Sequence, residues 1–386
     1  MKKNMPTVTV SNLYIYPIKS TMGISLPQAS IDELGLAFDR RFVISDNSGQ
    51  FISARTEPTL CLVKTLLTDN GITLSAPAMP TLFLVYENFS EQYKNVNVWD
   101  DEIAGQLCST KANSWFSNYL QRPCQLLYFG KASSRVRKAN TDNARKVAFA
   151  DGYPLLLISQ ASLDDLNQRL LANNQKTVSM ANFRPNIVVD NCLPFAEDGW
   201  QYIRIGEIEF KVSKPCERCI LTTVNPENGI KDRQQQPLST LKTYRQTRSG
   251  EVLFGQNLIP LTSGRINQGD KLTVNQSQQP PIFEKTNSMP VTTTIKKNKK
   301  VTIQFETWNK TQIADNQKTL LEHGEEAGLL IPSSCRAGMC GSCKAKLISG
   351  EVTQLADDAL SVEEKEQGYI LCCSSVAQSD VVIKHR

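Results

Sequence analysis

The stretch SSCRAGMCGSCKAKL, residues 333–347, decides how the C-terminal part of the chain folds. Its three cysteines are separated by four and then two residues, and the later stretch GYILCCSS supplies a fourth thiol. Four thiolates in the order C-x4-C-x2-C…C bind a [2Fe–2S] cluster of the plant ferredoxin type. The small residues Gly338, Gly341 and Ser342 allow the tight loop that such a cluster needs. The predicted iron ligands are Cys335, Cys340, Cys343 and Cys373.

Two adjacent cysteines compete for the fourth ligand position. The pattern G-Y-(I/V)-L-x-C aligns Cys373 rather than Cys372, and neighbouring residues of a strand face opposite sides. A zinc site would use paired short spacings, and a disulfide remains the other alternative. The gap of four and the absence of a nearby histidine favour the iron–sulfur cluster over both.

Length and charge limit the architecture. A chain of 386 residues is long enough for two or three domains. Residues 301–386 hold twelve acidic and eight basic side chains, a net charge of −4, whereas residues 1–300 carry +9. An acidic C-terminal module on a basic body is suited to docking by charge and to holding an anionic cofactor in the body.

Composition also excludes several classes of function. The chain has only two histidines, His323 and His385, and neither lies in a pattern typical of a catalytic triad or a zinc centre. The basic run at 296–300 lacks interleaved aromatic residues, so nucleic acid is not expected as a partner. No apolar stretch approaches the ~20 residues of a membrane span. The first ten residues show no secretory pattern, and clustered cysteines fit a reducing compartment, so we expect a cytoplasmic protein.

The chain is predicted to be mainly β with α+β parts. Alternating apolar segments such as TVTVSNLYIYPI and FVISD indicate strands, and residues 161–174 form the clearest helix, with Ser162 as its N-cap. A polar, proline-containing segment indicates a flexible linker before a small strand-rich module. We expect a first β-barrel domain over 1–100, a second over 101–275, a linker over 276–298 and an iron–sulfur module of the β-grasp type over 299–386.

A second sulfur motif lies in KPCERCILTTVNPENG, with Cys216 and Cys219. A thioredoxin-like pair usually opens a helix, but here the following residues 220–224 look strand-like, and a zinc knuckle would need a second pair. One thiolate can instead serve as a soft ligand for a metal whose other ligands are not protein.

Three segments together, KPCERCILTTVNPENG, MANFRPNIVVD and YPIKS, resemble the MOSC family, named after the C-terminal domain of molybdenum-cofactor sulfurases. The order of segments resembles the YcbX-type branch, with a MOSC N-terminal β-barrel, a MOSC β-barrel domain and a [2Fe–2S] ferredoxin domain. It is also similar to the mitochondrial amidoxime-reducing components, which lack the ferredoxin part. The resemblance implies that Cys219 binds molybdenum and that Cys216 is only its neighbour.

The same resemblance implies contacts to the molybdopterin part of the molybdenum cofactor. They include cations and hydrogen-bond donors suited to a phosphate. Arg41 is an alternative to its neighbour Arg40 in the first domain. Ser162 could instead be only a helix cap. The implied contacts are Lys19, Ser20, Arg40, Ser162, Arg184 and Asn186.

The resemblance implies an oxidoreductase with Cys219 at the catalytic metal. It would reduce small N-hydroxylated substrates such as hydroxylamines, amidoximes and N-hydroxylated base analogues, which is a detoxification. Electrons would come from an external NAD(P)H-dependent flavin reductase and pass through the [2Fe–2S] cluster to molybdenum. Two alternatives stay open: a sulfur carrier in cofactor maturation, and an electron-transfer or binding protein without its own turnover.

Overall fold

The computed structural model describes residues 7–137, 144–283, 299–329, 331–333, 336, 338, 341–357 and 359–385. They form two compact units. The first comprises Met1–Cys216, Thr223–Asp232 and Phe254–Pro281, and the second comprises Glu217–Thr222, Arg233–Leu253 and Ile282–Arg386. The predicted linker lies outside the described residues from position 284 onward.

Strands dominate the described part of the first unit, and two α-helices accompany them there. The strands are β1 (Thr9–Ile15), β2 (Ile24–Leu26), β3 (Gln28–Asp32), β4 (Gly35–Leu36), β5 (Phe42–Ser45), β6 (Lys64–Thr68), β7 (Gly71–Ser75), β8 (Leu82–Val85), β9 (Tyr93–Val98), β10 (Asp101–Leu107), β11 (Gln125–Tyr128), β12 (Val136–Arg137), β13 (Arg145–Lys146), β14 (Leu155–Ser159), β15 (Ile187–Asp190), β16 (Trp200–Ile205), β17 (Ile208–Glu217), β18 (Leu253–Pro260), β19 (Gly264–Asn267) and β20 (Leu272–Ser277). The helices are α1 (Thr110–Leu120) and α2 (Gln160–Ala172).

The largest sheet has eight strands in the order β2-β1-β15-β14-β18-β17-β16-β20. Smaller sheets follow the orders β5-β11-β10-β9, β6-β7-β8, β19-β3-β4 and β12-β13. The inward side chains of the large sheet form a continuous apolar core that includes Leu13, Leu157, Ile187 and Phe210. This burial of alternate residues is what the period-two pattern of the sequence predicts.

Strand pairing brings distant parts of the first unit together. In β15, Ile187 pairs antiparallel with Leu13 of β1 and parallel with Leu157 of β14. The loop that follows β1 therefore lies beside the residues that precede β15. Both are segments in which the sequence predicts cofactor contacts.

The second unit contains α3 (Leu238–Arg245), α4 (Leu320–Glu326) and α5 (Val362–Glu366). Its strands are β21 (Lys300–Phe305), β22 (Lys310–Asp315), β23 (Lys344–Ser349), β24 (Val352–Gln354), β25 (Tyr369–Leu371), β26 (Ser375–Ala377) and β27 (Val381–His385). Five of them form a mixed sheet in the order β22-β21-β27-β23-β25, with β21 parallel to β27. The expectation of a mainly β chain with α+β parts is confirmed.

Three local predictions are wrong. The N-cap of α2 is Ser159, whose hydroxyl accepts from the amide of Ser162, so Ser162 lies inside the first turn. Residues 220–223 form a 3₁₀ helix, because the amide and hydroxyl of Thr222 both donate to the carbonyl of Cys219. Cys372–Ser374 is also a 3₁₀ helix rather than strand, so strand alternation does not separate the two adjacent cysteines.

Candidate functional site

Three of the predicted contact residues have an unusual backbone. Ser20, Arg40 and Arg184 have φ angles of 76°, 47° and 56°, in the left-handed region that residues with a Cβ rarely adopt. Such conformations cost free energy and cluster at functional sites, where the surrounding structure enforces them. All three belong to the first unit.

Lys19 is nearly completely buried, with 5% of its surface exposed. Its ammonium group donates to the carbonyl of Phe149 at 2.8 Å and to the carboxylate of Asp151 at 2.5 Å. Burial lowers the pKa of Lys19 to about 8, although Asp151 opposes the shift. Lys19 is therefore mostly protonated at neutral pH and loses its charge as the pH rises through this pKa.

Asp151, the ion-pair partner of Lys19, was not predicted from the sequence. Its carboxylate also accepts from Nη2 of Arg55 at 3.1 Å and from the indole of Trp99 at 3.0 Å. Its packed surroundings alone would raise its pKa, but the charges of Lys19 and Arg55 hold that pKa well below its usual range. The side chain is still 52% exposed, so solvent screens both ion pairs. The sequence ADGYP gives no sign of this role beyond a turn.

Arg40 connects two of the predicted segments. Its guanidinium donates to Asp39 at 2.6 Å, to the side-chain oxygen of Asn186 at 3.1 Å and to the carbonyl of Arg184 at 3.0 Å. The neighbouring Arg41 is directed elsewhere and pairs with Asp32. Of the two adjacent arginines, Arg40 is thus the one that joins the site.

The guanidinium group of Arg184 is only partly hydrogen-bonded within the described residues. Its Nη1 donates to the carbonyl of Thr21 at 2.6 Å, but its buried Nη2 has no hydrogen-bond partner among the described residues. Burial, reinforced by the nearby charge of Arg40, lowers the pKa of Arg184 to about 10. A buried donor without a partner is costly and fits a site completed by a ligand.

Asn186 uses its amide group to brace the fold. Its oxygen accepts from Arg40 and from the amide of Leu156, and its nitrogen donates to the carbonyl of Tyr14. Ser20 is buried beside Lys19, in the turn that follows β1. The structure thus joins Arg40 to Arg184 and Asn186, and it places Lys19 and Ser20 in the turn that Arg184 contacts at Thr21. The contacts of these residues to a cofactor stay predictions.

Ser162 has a different environment. It is completely buried, its hydroxyl donates to Glu197 at 2.8 Å, and that carboxylate also accepts from the amide of Ser159 at 3.1 Å. The N-terminus of α2, a natural anion site, is therefore already filled by a side chain of the protein. A cofactor contact through Ser162 stays a prediction that this placement does not support.

Cys219 lies in the second unit, immediately before the 3₁₀ helix Ile220–Thr223. It is half-buried, and its carbonyl is fixed by the two hydrogen bonds from Thr222. Its neighbour Arg218 is buried and donates its amide to the carbonyl of Val252 at 2.7 Å. Cys216, at the end of β17, is also half-buried.

The described part of the iron–sulfur loop brings two of the predicted ligands together. The amide of Cys373 donates to the sulfur of Cys343 at 3.4 Å, and the amide of Gly338 donates to the sulfur of Cys373 at 3.3 Å. Amide donors to cluster sulfur help to set the reduction potential. The other two predicted ligands, Cys335 and Cys340, lie outside the described residues.

Both ends of this loop are fixed to helices. Arg336 forms a two-pronged ion pair with Glu325 of α4, and Lys344 pairs with Glu364 of α5 at 2.5 Å. Gly338 has a φ of 75°, and a Cβ there would lie 2.8 Å from the side chain and the carbonyl oxygen of Ala356. Glycine is therefore required at this point of the loop.

Family models match almost the whole length of the chain. The MOSC N-terminal beta barrel domain matches residues 7–123, the MOSC domain matches 144–273, and the 2Fe-2S iron-sulfur cluster binding domain matches 305–378. Together they define a MOSC-domain protein that carries an iron–sulfur module, which confirms the predicted family and fold. The predicted boundaries at residues 100, 275 and 298 stay predictions.

Relatives narrow the class further. Mitochondrial amidoxime-reducing component 1 of Mus musculus is 38% identical over 279 residues, which are 68% of this chain and 81% of the relative. Mitochondrial amidoxime reducing component 2 of Homo sapiens is 37% identical over 247 residues, or 61% of this chain and 72% of the relative. The chain belongs to the family of the amidoxime-reducing components.

Similarity to a solved structure extends over a smaller share of this chain. A ferredoxin reductase in carbazole 1,9a-dioxygenase is 29% identical, covers 23% of this chain and 28% of its own, and has a TM-score of 0.22. A similarity of this extent identifies no partner. Within the part of the chain that the structure describes, no helix is long and apolar enough to cross a membrane.

Proposed function

We propose that this protein reduces N-hydroxylated compounds with a molybdenum cofactor and receives electrons through its own iron–sulfur module. Its family supports the reaction class, because the relatives are named for the reduction of amidoximes. The matched iron–sulfur domain supports an electron path within one chain. The substrates would be small hydroxylamines, amidoximes and N-hydroxylated base analogues.

The observation that carries the proposal is the buried, unpartnered Nη2 of Arg184. Arg184 contacts Arg40 through its carbonyl, and its Nη1 donates to the carbonyl of Thr21, two residues after the buried Lys19. The backbone of Arg40 and Arg184 is held in the left-handed region. Such a donor set fits an anionic group, and the phosphate of molybdopterin is one. We assign Lys19, Ser20, Arg40, Arg184 and Asn186 to holding that part of the cofactor.

Cys219 would bind the metal. A thiolate is a soft ligand suited to a heavy metal, and the two hydrogen bonds from Thr222 fix the turn that carries it. Cys216 lies three residues earlier, at the end of a strand, and is assigned no ligand role.

When bound, the cofactor would supply a two-electron reduction: with two protons, the N–O bond breaks and the amine and water are released. Lys19, Arg40 and Arg184 would hold its phosphate by charge, and Cys219 would bind its metal through sulfur. In the second unit, Cys343 and Cys373, with the amide of Gly338, would hold the [2Fe–2S] cluster together with Cys335 and Cys340. An external NAD(P)H-dependent flavin reductase in the cytoplasm would provide the electrons.

The test compares two single variants, Cys219→Ala and Cys216→Ala, in full-length protein made in cells that synthesise the cofactor. We expect Cys219→Ala to abolish reduction of hydroxylaminopurine and to lower bound molybdenum while the iron content is unchanged. Cys216→Ala should keep both. Wild-type protein that is full of iron but lacks molybdenum would contradict the proposal and favour a sulfur carrier.

A further inference from the structure

The ring of Tyr16 contacts both arginines of the candidate site. The guanidinium carbon of Arg40 is 4.3 Å from the ring centroid and that of Arg184 is 4.1 Å from it. Both distances lie within the ~6 Å over which an aromatic face attracts a cation. Tyr16 directly follows β1 and only 2% of its surface is exposed, so the two contacts are desolvated.

Two guanidinium groups on one ring require a stabilising partner. Each loses hydration, and their like charges repel, which is one reason why the pKa of Arg184 is low. A carboxylate in addition to Asp39 would stabilise both guanidinium groups, but it would also occupy the N–H groups that a ligand needs. An aromatic face attracts both cations without accepting their hydrogen bonds. It therefore leaves Nη2 of Arg184 without a partner within the described residues.

The position of the ring is itself fixed. The amide of Tyr16 donates to Asp39 at 2.8 Å, and its carbonyl accepts from the amide of Arg40 at 2.9 Å. A Cβ at Gly23 would lie 2.6 Å from Cε1 of the ring, far inside van der Waals contact. The glycine in the following turn thus makes the space that the ring occupies.

We propose that Tyr16 is a positioning residue whose ring holds the guanidinium groups of Arg40 and Arg184 ready to bind the anionic end of the cofactor. This inference rests on the proposed function, since it concerns the same site. Tyr16 touches the arginines and acts through them. The ring, not the hydroxyl, performs the role.

The main experiment measures molybdenum and iron in the full chain purified from cells that make the cofactor. Tyr16→Leu removes the ring and with it both cation–π contacts. We expect roughly a tenfold loss of molybdenum per chain, which corresponds to about 1.4 kcal/mol. Tyr16→Phe keeps the ring and should retain most of the molybdenum. The iron content, set by the other unit, is the internal control and should not change.

A double variant separates positioning from a general effect on folding. In an Arg184→Gln background, Tyr16→Leu should lower molybdenum much less than it does in the wild type, because one of the groups that it positions is gone. An undiminished further loss would show that Tyr16 acts through the fold instead. The melting temperature of the cofactor-free protein reports on that alternative directly.

Gly23→Ala is the second route if Tyr16→Leu does not fold. The added methyl displaces the ring without removing it, and molybdenum should again fall. Full molybdenum content in Gly23→Ala or in a folded Tyr16→Leu overturns the positioning role but leaves the proposed function standing. Wild-type protein without molybdenum would instead remove the proposed function.

Discussion

The two candidate cofactor sites of this chain are built in opposite ways. The iron–sulfur site draws three of its four predicted ligands from one compact sequence pattern, and small residues such as Gly338 let amide groups reach sulfur. The anion site of the first unit is assembled from distant parts of the chain, such as Arg40 and Asn186, which are 146 positions apart, and its lysine, Lys19, is nearly completely buried. A local site can be read from spacing, whereas a dispersed site depends on the fold to bring charge together.

The largest effect is expected in the local site. Cys373→Ser should abolish the cluster, because the sulfur of Cys373 accepts from the loop amide of Gly338 and its amide donates to Cys343. Iron content and visible absorption measure the loss. The matched control is Cys372→Ser, which should keep its iron, and the reverse result would exchange the roles of the two neighbours.

The dispersed site should respond strongly to a change of geometry at constant charge. Arg184→Lys keeps a cation but removes the fork of donors, including the unpartnered Nη2. One charged hydrogen bond is worth about 1.5–3 kcal/mol, so cofactor affinity should fall roughly ten- to a hundredfold. Molybdenum content reports the change.

Arg41→Lys is the control for that substitution, since Arg41 is directed to Asp32 rather than to the site. It should leave molybdenum unchanged. Unchanged molybdenum in Arg184→Lys would mean that the site selects for positive charge alone, and equal losses in both variants would mean that the effect is not specific to Arg184.

Ser162→Ala tests whether Ser162 belongs to the dispersed site. The hydroxyl of Ser162 donates to the buried Glu197, so its loss should destabilise the fold by about 1–3 kcal/mol. Chemical denaturation measures this change. Molybdenum per folded chain should stay the same, and a selective loss of molybdenum without loss of stability would bring Ser162 back into the cofactor site.

The smallest effect is a pH dependence at Lys19. Its folded pKa of about 8 is below its ordinary value of 10.5, so the charge is present below pH 8 and disappears above it. Stabilisation of the cofactor-free protein by sulfate should therefore weaken a few-fold as the pH rises through 8. The sulfate-free protein should gain stability between pH 8 and 10.5, because the unfolded chain then binds more protons.

Lys19→Gln provides the comparison for that titration. It should bind sulfate more weakly at pH 7 and show little change through pH 8. A variant with the same pH dependence as the wild type would assign the titration to another group.

Sequence patterns predicted some helices and strands well and missed others. The helix over residues 161–174 and strands such as FVISD were found because their apolar patterns are strong, and α2 and β5 lie close to the predicted limits. Helix α1 was missed, although its N-cap Ser109 accepts from the amide of Ala112. Its residues alternate small, polar and aromatic types and give no clean period.

The site residues that the sequence did not predict were missed for one physical reason. Asp151 and Tyr16 act through tertiary contacts, one with Lys19 and the other with two arginines, and neither contact has a local pattern. The same holds for the burial of Ser162 against Glu197, which lies 35 residues away. The helix-cap assignment failed because Ser159 and Ser162 are both good caps, and only the backbone distinguishes them.

The pairing of β1 with β15 has a consequence for biosynthesis. Ser11 reaches its partner Val188 across 177 positions of the chain. At about 5–20 residues per second, the first strand waits roughly ten to thirty seconds on the ribosome before that neighbour exists. During this interval its apolar face is exposed to chaperones and to other nascent strands. Slowing translation between these two segments should therefore reduce the yield of folded protein more than slowing it elsewhere.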